Sequence, residues 1–179
     1  HEAEASRWLT ERLQLSGYDR AFVDEVGNAV GEIGSPQAPR TVVLLGHIDT
    51  VPGEIPVRIE ASPNGEVLYG RGSADMKGFI GLVVSQTERF LAADLPHAIH
   101  YAFSYDEEVG CFGVQHLIAD LRDAQIAPRL CIVGEPTGML PAIAHKGVYR
   151  WRCCVKGKPA HSSLTPKAVN AIEAGARLV

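Results

Sequence analysis

An α/β domain with a mostly parallel sheet covered on both sides is the fold class this sequence predicts. Short, almost wholly apolar stretches recur at Thr41–Leu45, Ile99–Tyr105 and Leu130–Val133, as expected of strands buried on both faces. Stretches of helical periodicity alternate with them, the order that produces parallel strands with helices packed above and below. Each apolar stretch also runs directly into acidic or histidine residues, and ligands of open α/β sheets gather beyond the carboxyl ends of the strands.

The elements follow in order. Ala5, Trp8, Leu9 and Leu13 fall on one helical face within residues 2–15, and Gly17 is a plausible stop. Residues 20–33 read as a hairpin turning at Gly27-Asn28, and residues 56–69 as a second, with Asn64-Gly65 at its turn. The first buried strand, Thr41–Leu45, lies between the two hairpins. Gly78 to Leu91 turns helical, Ile99–Tyr105 returns to strand, and Val114, Leu117, Ile118 and Leu121 take i, i+3, i+4, i+7 spacing before the strand Leu130–Val133. After Gly147 the character changes: Val148–Val155 reads as a longer strand and Pro166–Leu178 as a helix. A domain boundary is therefore expected near residue 147, with residues 1–147 as one domain and 148–179 as the start of a smaller α+β one. The sequence opens on His1 rather than Met and ends inside a helical pattern, so a longer protein is expected on both sides.

Composition excludes several functions. Of 179 residues, 46% are hydrophobic and 21% charged, ordinary for a globular domain. Lys plus Arg number 17 against 21 Asp plus Glu, a formal charge of −4 without a basic cluster, so a nucleic-acid partner is not expected. No apolar run approaches the roughly 18 residues a membrane span requires, so no membrane partner is expected either. Cys111, Cys131, Cys153 and Cys154 lack C-x-x-C spacing and are expected to be buried free thiols in a reducing, cytoplasmic setting.

The polar clusters at the strand ends suggest metal chemistry. One apolar stretch leads into Gly46-His47-Ile48-Asp49, another into Asp106-Glu107-Glu108, a third into Gly134-Glu135, and Gly70–Asp75 opens a helix. Carboxylates brought together out of water repel one another and cost several kcal/mol each without a compensating cation. One imidazole with several carboxylates and no thiolate suits Zn²⁺, and Co²⁺ or Mn²⁺ suits the same set. His47 and Asp49 are two apart and face the same way on an extended chain, so Asp49 can hold the imidazole N–H turned away from the metal. In Glu107-Glu108, one carboxylate can bind metal while the other faces substrate as general base. Taken singly, each cluster is ordinary turn or surface chemistry; their joint placement carries the reading. His97, His100, His116 and His145 lack such a setting and read as surface or core histidines.

At these residues the sequence resembles the acetylornithine deacetylase / succinyl-diaminopimelate desuccinylase family of dinuclear zinc amidohydrolases. The matching segments are GHIDTVP (46–52), LYGRGSADMKG (68–78), SYDEEVG (104–110), VGEPT (133–137) and KGKPAHSS (156–163), in the family's order. The resemblance implies a three-layer sandwich of zinc-peptidase type, metal-binding and catalytic, followed by a lid and dimerisation domain that makes the protein a homodimer. It makes His47 a ligand of the first zinc, Asp75 the carboxylate bridging two zincs, Glu135 a further ligand of the first and Glu108 a ligand of the second. Glu107 becomes the general acid/base, Asp49 the partner that orients His47, and the Asp75-Met76 peptide is expected to be cis. His161 resembles the family histidine that reaches the neighbouring subunit's site and steadies an oxyanion; read from the residues alone, it belongs to a helix-capping neighbourhood with Ser162, Ser163 and Thr165.

The implied reaction is hydrolysis of a linear amide in an N-acyl amino acid, most closely N2-acetylornithine on the route to arginine. DMKGF (75–79) and AFSYDEEVGC (102–111) look most like acetylornithine deacetylase, whereas GHIDTVPGEIPVRIE (46–60) looks more like the relatives that release lysine or ornithine from a carrier protein. A desuccinylase, a metallo-carboxypeptidase of the same fold and a binding module that has lost its chemistry are the alternatives. The family's second zinc also takes a histidine far downstream, and no histidine follows His161. The 179 residues alone are therefore expected to hold one metal better than two and to be poor catalysts.

Overall fold

The computed structural model describes residues 2–35, 38, 40–93 and 95–178. Helix α1 (Glu2–Leu15) is followed by strands β1 (Arg20–Val23), β2 (Ala29–Ile33) and β3 (Thr41–His47). A hairpin of β4 (Arg58–Ser62) and β5 (Gly65–Tyr69) precedes α2 (Lys77–Ser85) and α3 (Thr87–Ala92). Strand β6 (Ala98–Ser104), α4 (Phe112–Asp123) and β7 (Leu130–Val133) complete the sheet region. The main sheet has five strands in the order β1-β2-β6-β3-β7.

The α/β class stands, with a mixed sheet. Strands β6, β3 and β7 run parallel, while the β1–β2 hairpin joins β6 antiparallel through β2. A tight hairpin forces antiparallel pairing on its own two strands, so the strands outside the helix-connected part cannot all be parallel. Alternation along each strand feeds two cores. Leu44, Ile99, Tyr101 and Phe103 pack with Leu9 and Leu13 of α1 and Ile80 and Val83 of α2. Val43 and Ala102 turn the other way, onto Leu117 of α4. Tyr18, Tyr101 and Phe103 stack edge to face within the first core, with centroids 5.0 and 6.0 Å apart.

The helical pattern over 78–91 is two helices broken at Gln86 (φ −90°, ψ 0°). Two side chains explain the break: Ser85 Oγ donates to the Leu82 carbonyl and Thr87 Oγ1 to that of Val84, competing with the backbone ladder. Thr87 Oγ1 also shares a 2.9 Å hydrogen bond with the Tyr18 hydroxyl, which ties the break to the core.

Contacts divide the chain into two compact units, His1–Leu140 and Pro141–Val179, so the second unit begins before the residue 147 at which the sequence changes character. In that unit, the strand expected over Val148–Val155 has no ladder among the described residues. A strand exists only where a neighbour accepts its hydrogen bonds, and among the described residues of this unit the pairing is one bridge, Lys158–Val169. The same bridge splits the helix expected over 166–178. A 3-10 turn spans Ser162–Lys167, Ala168 is extended, and α5 (Ala171–Ala176) starts afresh with Asn170 accepting from the Ile172 N–H at 3.0 Å. The four cysteines are free but exposed rather than buried. Cys131 lies on the outermost strand of the sheet, Cys111 opens α4, and Cys153-Cys154 sit in the unpaired segment. No helix among the described residues is long and apolar enough to cross a membrane.

Candidate metal centre

Register brings the polar clusters level. Along β3, His47 pairs with Ser104 of β6 and Leu45 with Val133 of β7. One further hydrogen bond, from the Gly134 N–H to the Leu45 carbonyl at 3.2 Å, carries β7 on so that Glu135 emerges beside His47. Gly134 is obligatory here, because a Cβ at this position would run into the ring of Phe79 on α2. Helix α2 contributes through the residues that precede it. Met76 is fully buried and lies against Gly46, and the Asp75-Met76 peptide is cis. Asp75 thus stands at the head of α2, with its Oδ1 3.1 Å from His47 Nε2.

His47 is the hub. Its Nε2 faces Asp75, with Glu135 Oε1 at 3.8 Å and Glu107 Oε2 at 3.9 Å. Its Nδ1 lies 3.1 Å from the Asp49 main-chain oxygen and 3.3 Å from Asp49 Oδ1. Burial pushes the imidazole toward its neutral form, but Asp49, through both its charge and its carbonyl, and then Glu135 and Glu107 outweigh it, so its pKa lies above the usual histidine value. Glu135 is raised as well, first by burial and then by the negative charges of Asp75, Glu107 and Glu108, against the pull of His47.

His47, Asp75 and Glu135 each offer one ligand atom within 4.8 Å of the others, the three-residue group able to hold a metal ion among the described residues. The donor set fits a divalent cation of the zinc type: one imidazole, two carboxylates, no thiolate. Buried Asp49 Oδ1 has no hydrogen-bond partner although it sits beside His47 Nδ1. That is the position of a carboxylate that steadies a metal-ligating imidazole from behind.

The other residues read from the sequence fall as follows. Glu107 joins the cluster next to His47. The Glu108 carboxylate is outside the three-residue group, but its backbone N–H donates to Asp49 Oδ2 at 2.9 Å, so Asp49 touches both the histidine and the acidic loop. His161 belongs to the second unit and is exposed. It caps the 3-10 turn, its Nδ1 accepting from the Ser163 N–H at 3.3 Å and lying 2.9 Å from Ser163 Oγ. With Nδ1 accepting, the neutral ring carries its proton outward on Nε2. His100 is buried 3.6 Å from Glu32, while His116 and His145 are exposed. Two contacts around the acidic loop were not legible in the sequence. Cys111 Sγ donates to Glu107 Oε1 at 3.4 Å, and Asn28 hydrogen-bonds both ends of the loop.

Residues 43–179, from β3 onward, match the model of peptidase family M20/M25/M40. The chain belongs to this family. A LysW-lysine hydrolase of Deinococcus radiodurans is 39% identical over 141 residues, covering 76% of this chain and 35% of that protein. An acetylornithine deacetylase of Aliivibrio salmonicida is 32% identical over 151 residues, covering 82% of this chain and 38% of that protein. The M20/M25/M40 chain thus spans well under half the length of these curated relatives. Among solved structures, a tripeptidase from Staphylococcus aureus superposes with a TM-score of 0.67 over 96% of this chain and 48% of its own, at 19% identity. That likeness is one of fold.

Proposed function

We propose that the protein carrying this chain is a zinc-dependent amidohydrolase acting on an N-acyl amino acid, with N2-acetylornithine the favoured substrate. The observation that carries the reading is the convergence of His47, Asp75 and Glu135 on one point, with the Glu107 carboxylate 3.9 Å from His47 Nε2. His47, Asp75 and Glu135 would hold the metal, and the Glu108 carboxylate would be available to a second ion. A bound divalent zinc, or cobalt in its place, supplies Lewis acidity toward an amide carbonyl and acidifies water. Glu107, free of the three-ligand group, takes the proton from the attacking water and returns it to the departing amine nitrogen. Asp49 keeps the His47 ring in one tautomer, with Nε2 toward the cluster. His161, with its proton on Nε2, donates to the oxyanion in the site of a partner subunit of a homodimer. The enzyme works in the cytoplasm.

The test is hydrolysis by the whole protein, with zinc and without, of N2-acetylornithine, N-succinyl-diaminopimelate and a dipeptide. Zinc-dependent release of ornithine is expected, and Glu107→Gln should lower turnover by about 10²–10⁴-fold while zinc content stays at the wild-type level. Turnover that survives in Glu107→Gln refutes the assignment of the base; no hydrolysis of any amide at saturating zinc makes the chain a binding module. A second reading has support of its own. The kinship with the LysW-lysine hydrolase favours an aminoacyl group on a carrier protein as substrate, and release of lysine from that carrier with N2-acetylornithine untouched would select it.

A further inference from the structure

We infer that Asn28, a residue of the β1–β2 turn remote in sequence from every group in the metal centre, is the positioning residue that fixes the loop carrying Glu107 and Glu108; the inference rests on the catalytic reading of that loop given above. Asn28 is fully buried. Its amide nitrogen donates to the Gly113 carbonyl at 3.0 Å and to Asp24 Oδ2, and its amide oxygen accepts from the Tyr105 N–H at 3.1 Å. Tyr105 and Gly113 are the two ends of the acidic loop, so one side chain clasps both.

The loop is closed by its own backbone, the Gly113 N–H donating to the Tyr105 carbonyl at 3.3 Å and the Phe112 N–H to that of Asp106 at 3.1 Å, and the Asn28 side chain braces that closure from outside. Asp106 (φ 52°) and Cys111 (φ 56°) adopt left-handed backbone, Gly110 lies at φ 142°, and non-glycine residues stay in that region only where their surroundings over-determine them. Asp49 restrains the loop at its tip through the Glu108 N–H, and Asn28 restrains it at its base. Asn28 is itself held in place. Asp24 Oδ1 accepts from the N–H groups of Val26, Gly27 and Asn28 at 3.0, 2.8 and 2.8 Å, which locks the turn. With two acceptors on one side of its amide and a donor on the other, only one orientation satisfies every partner. Aspartate has the same shape but no N–H to give, and it would confront the Gly113 carbonyl and the Asp24 carboxylate with a third acceptor. Fit is also tight: a Cβ on Gly113 would come within 2.5 Å of Asn28 Oδ1. Asn28 touches none of the reacting groups, so it acts through the loop alone.

The experiment compares wild type with Asn28→Asp, Asn28→Leu and the milder Asn28→Ser in the whole protein, each under conditions where circular dichroism gives the wild-type folded signal. Amide hydrogen exchange is read on the zinc-free protein. The Tyr105, Glu108 and Gly113 amides are expected to exchange faster in all three variants while those of β3 and β6 remain protected, with Asn28→Asp no better than Asn28→Leu despite its shape. In the zinc-loaded protein kcat should fall about 10²-fold, the scale of a displacement near 1 Å, with KM nearly unchanged. Wild-type exchange in the loop overturns the inference, as does faster exchange spread evenly over the sheet, since Asn28 would then support only the fold. Should the wild type hydrolyse no amide at all, the catalytic reading fails, and the exchange data still decide whether Asn28 holds the loop.

Discussion

Asp49→Asn separates charge from shape at the centre of the site. Asp49 is 4% exposed, one carboxylate oxygen accepts from the Glu108 N–H at 2.9 Å and the other lies 3.3 Å from His47 Nδ1. An asparagine can keep the first contact through its amide oxygen, and the main-chain oxygen that also faces Nδ1 at 3.1 Å does not change. What disappears is the negative charge behind the imidazole, and with it the electron density that strengthens Nε2 as a ligand. Loss of such a partner weakens metal binding by about 10–100-fold, or about 1.4–2.8 kcal/mol. Competitive titration with a zinc chelator measures the change directly. Asp49→Ala should weaken zinc further and also destabilise the metal-free fold by about 1–3 kcal/mol, because it strands the Glu108 N–H. If Asp49→Asn binds zinc as tightly as the wild type, Asp49 does not orient His47 and the reasoning fails.

Further consequences concern the elements around the site. Gly134→Ala should cost about 1–3 kcal/mol through collision with Phe79 and should weaken zinc because Glu135 is the next residue; thermal melts with and without zinc test both effects. Phe103→Ala removes a fully buried ring from the larger core and should cost about 3–5 kcal/mol by urea denaturation. His100 is held below the usual histidine value by burial, which outweighs Glu32 and is reinforced by Arg20. The unfolded chain then binds that proton more readily than the fold does, so stability is full above about pH 6.5 and falls as the pH drops through that value. Urea midpoints on either side of it should converge in His100→Gln; an undiminished acid loss in that variant refutes the assignment to His100.

The parts of the fold legible in the sequence were those dictated by periodicity. Thr41–Leu45, Ile99–Tyr105 and Leu130–Val133 could be read as strands because each is a short, mostly apolar run, although β7 is exposed along its length rather than buried on both faces, and α1 and α4 because their apolar residues keep helical spacing. The approach of His47 and Glu135 was legible because each lies at the end of a parallel strand, so the register brings them level, whereas Asp75 reaches them from the head of α2. The break at Gln86 was not legible, since it arises from hydroxyls of Ser85 and Thr87 that could equally have faced solvent. Val148–Val155 carries strand-forming residues, yet a strand is a property of pairs, and its sequence says nothing of a partner. The exposure of Cys131 follows from strand order, which periodicity along the chain does not encode. Asn28 was masked by its turn: Gly27-Asn28 is an ordinary hairpin signal, and its contacts to Tyr105 and Gly113 exist only in three dimensions.

The central claim is that one divalent cation is held by an imidazole from β3, a carboxylate from the head of α2 and a carboxylate following β7. Anomalous diffraction at the zinc edge from zinc-loaded crystals tests it most directly. The expected result is a peak about 2.0–2.1 Å from His47 Nε2 and about 2.0–2.2 Å from carboxylate oxygens of Asp75 and Glu135. A zinc peak elsewhere, or none at these residues with zinc saturating, contradicts the account.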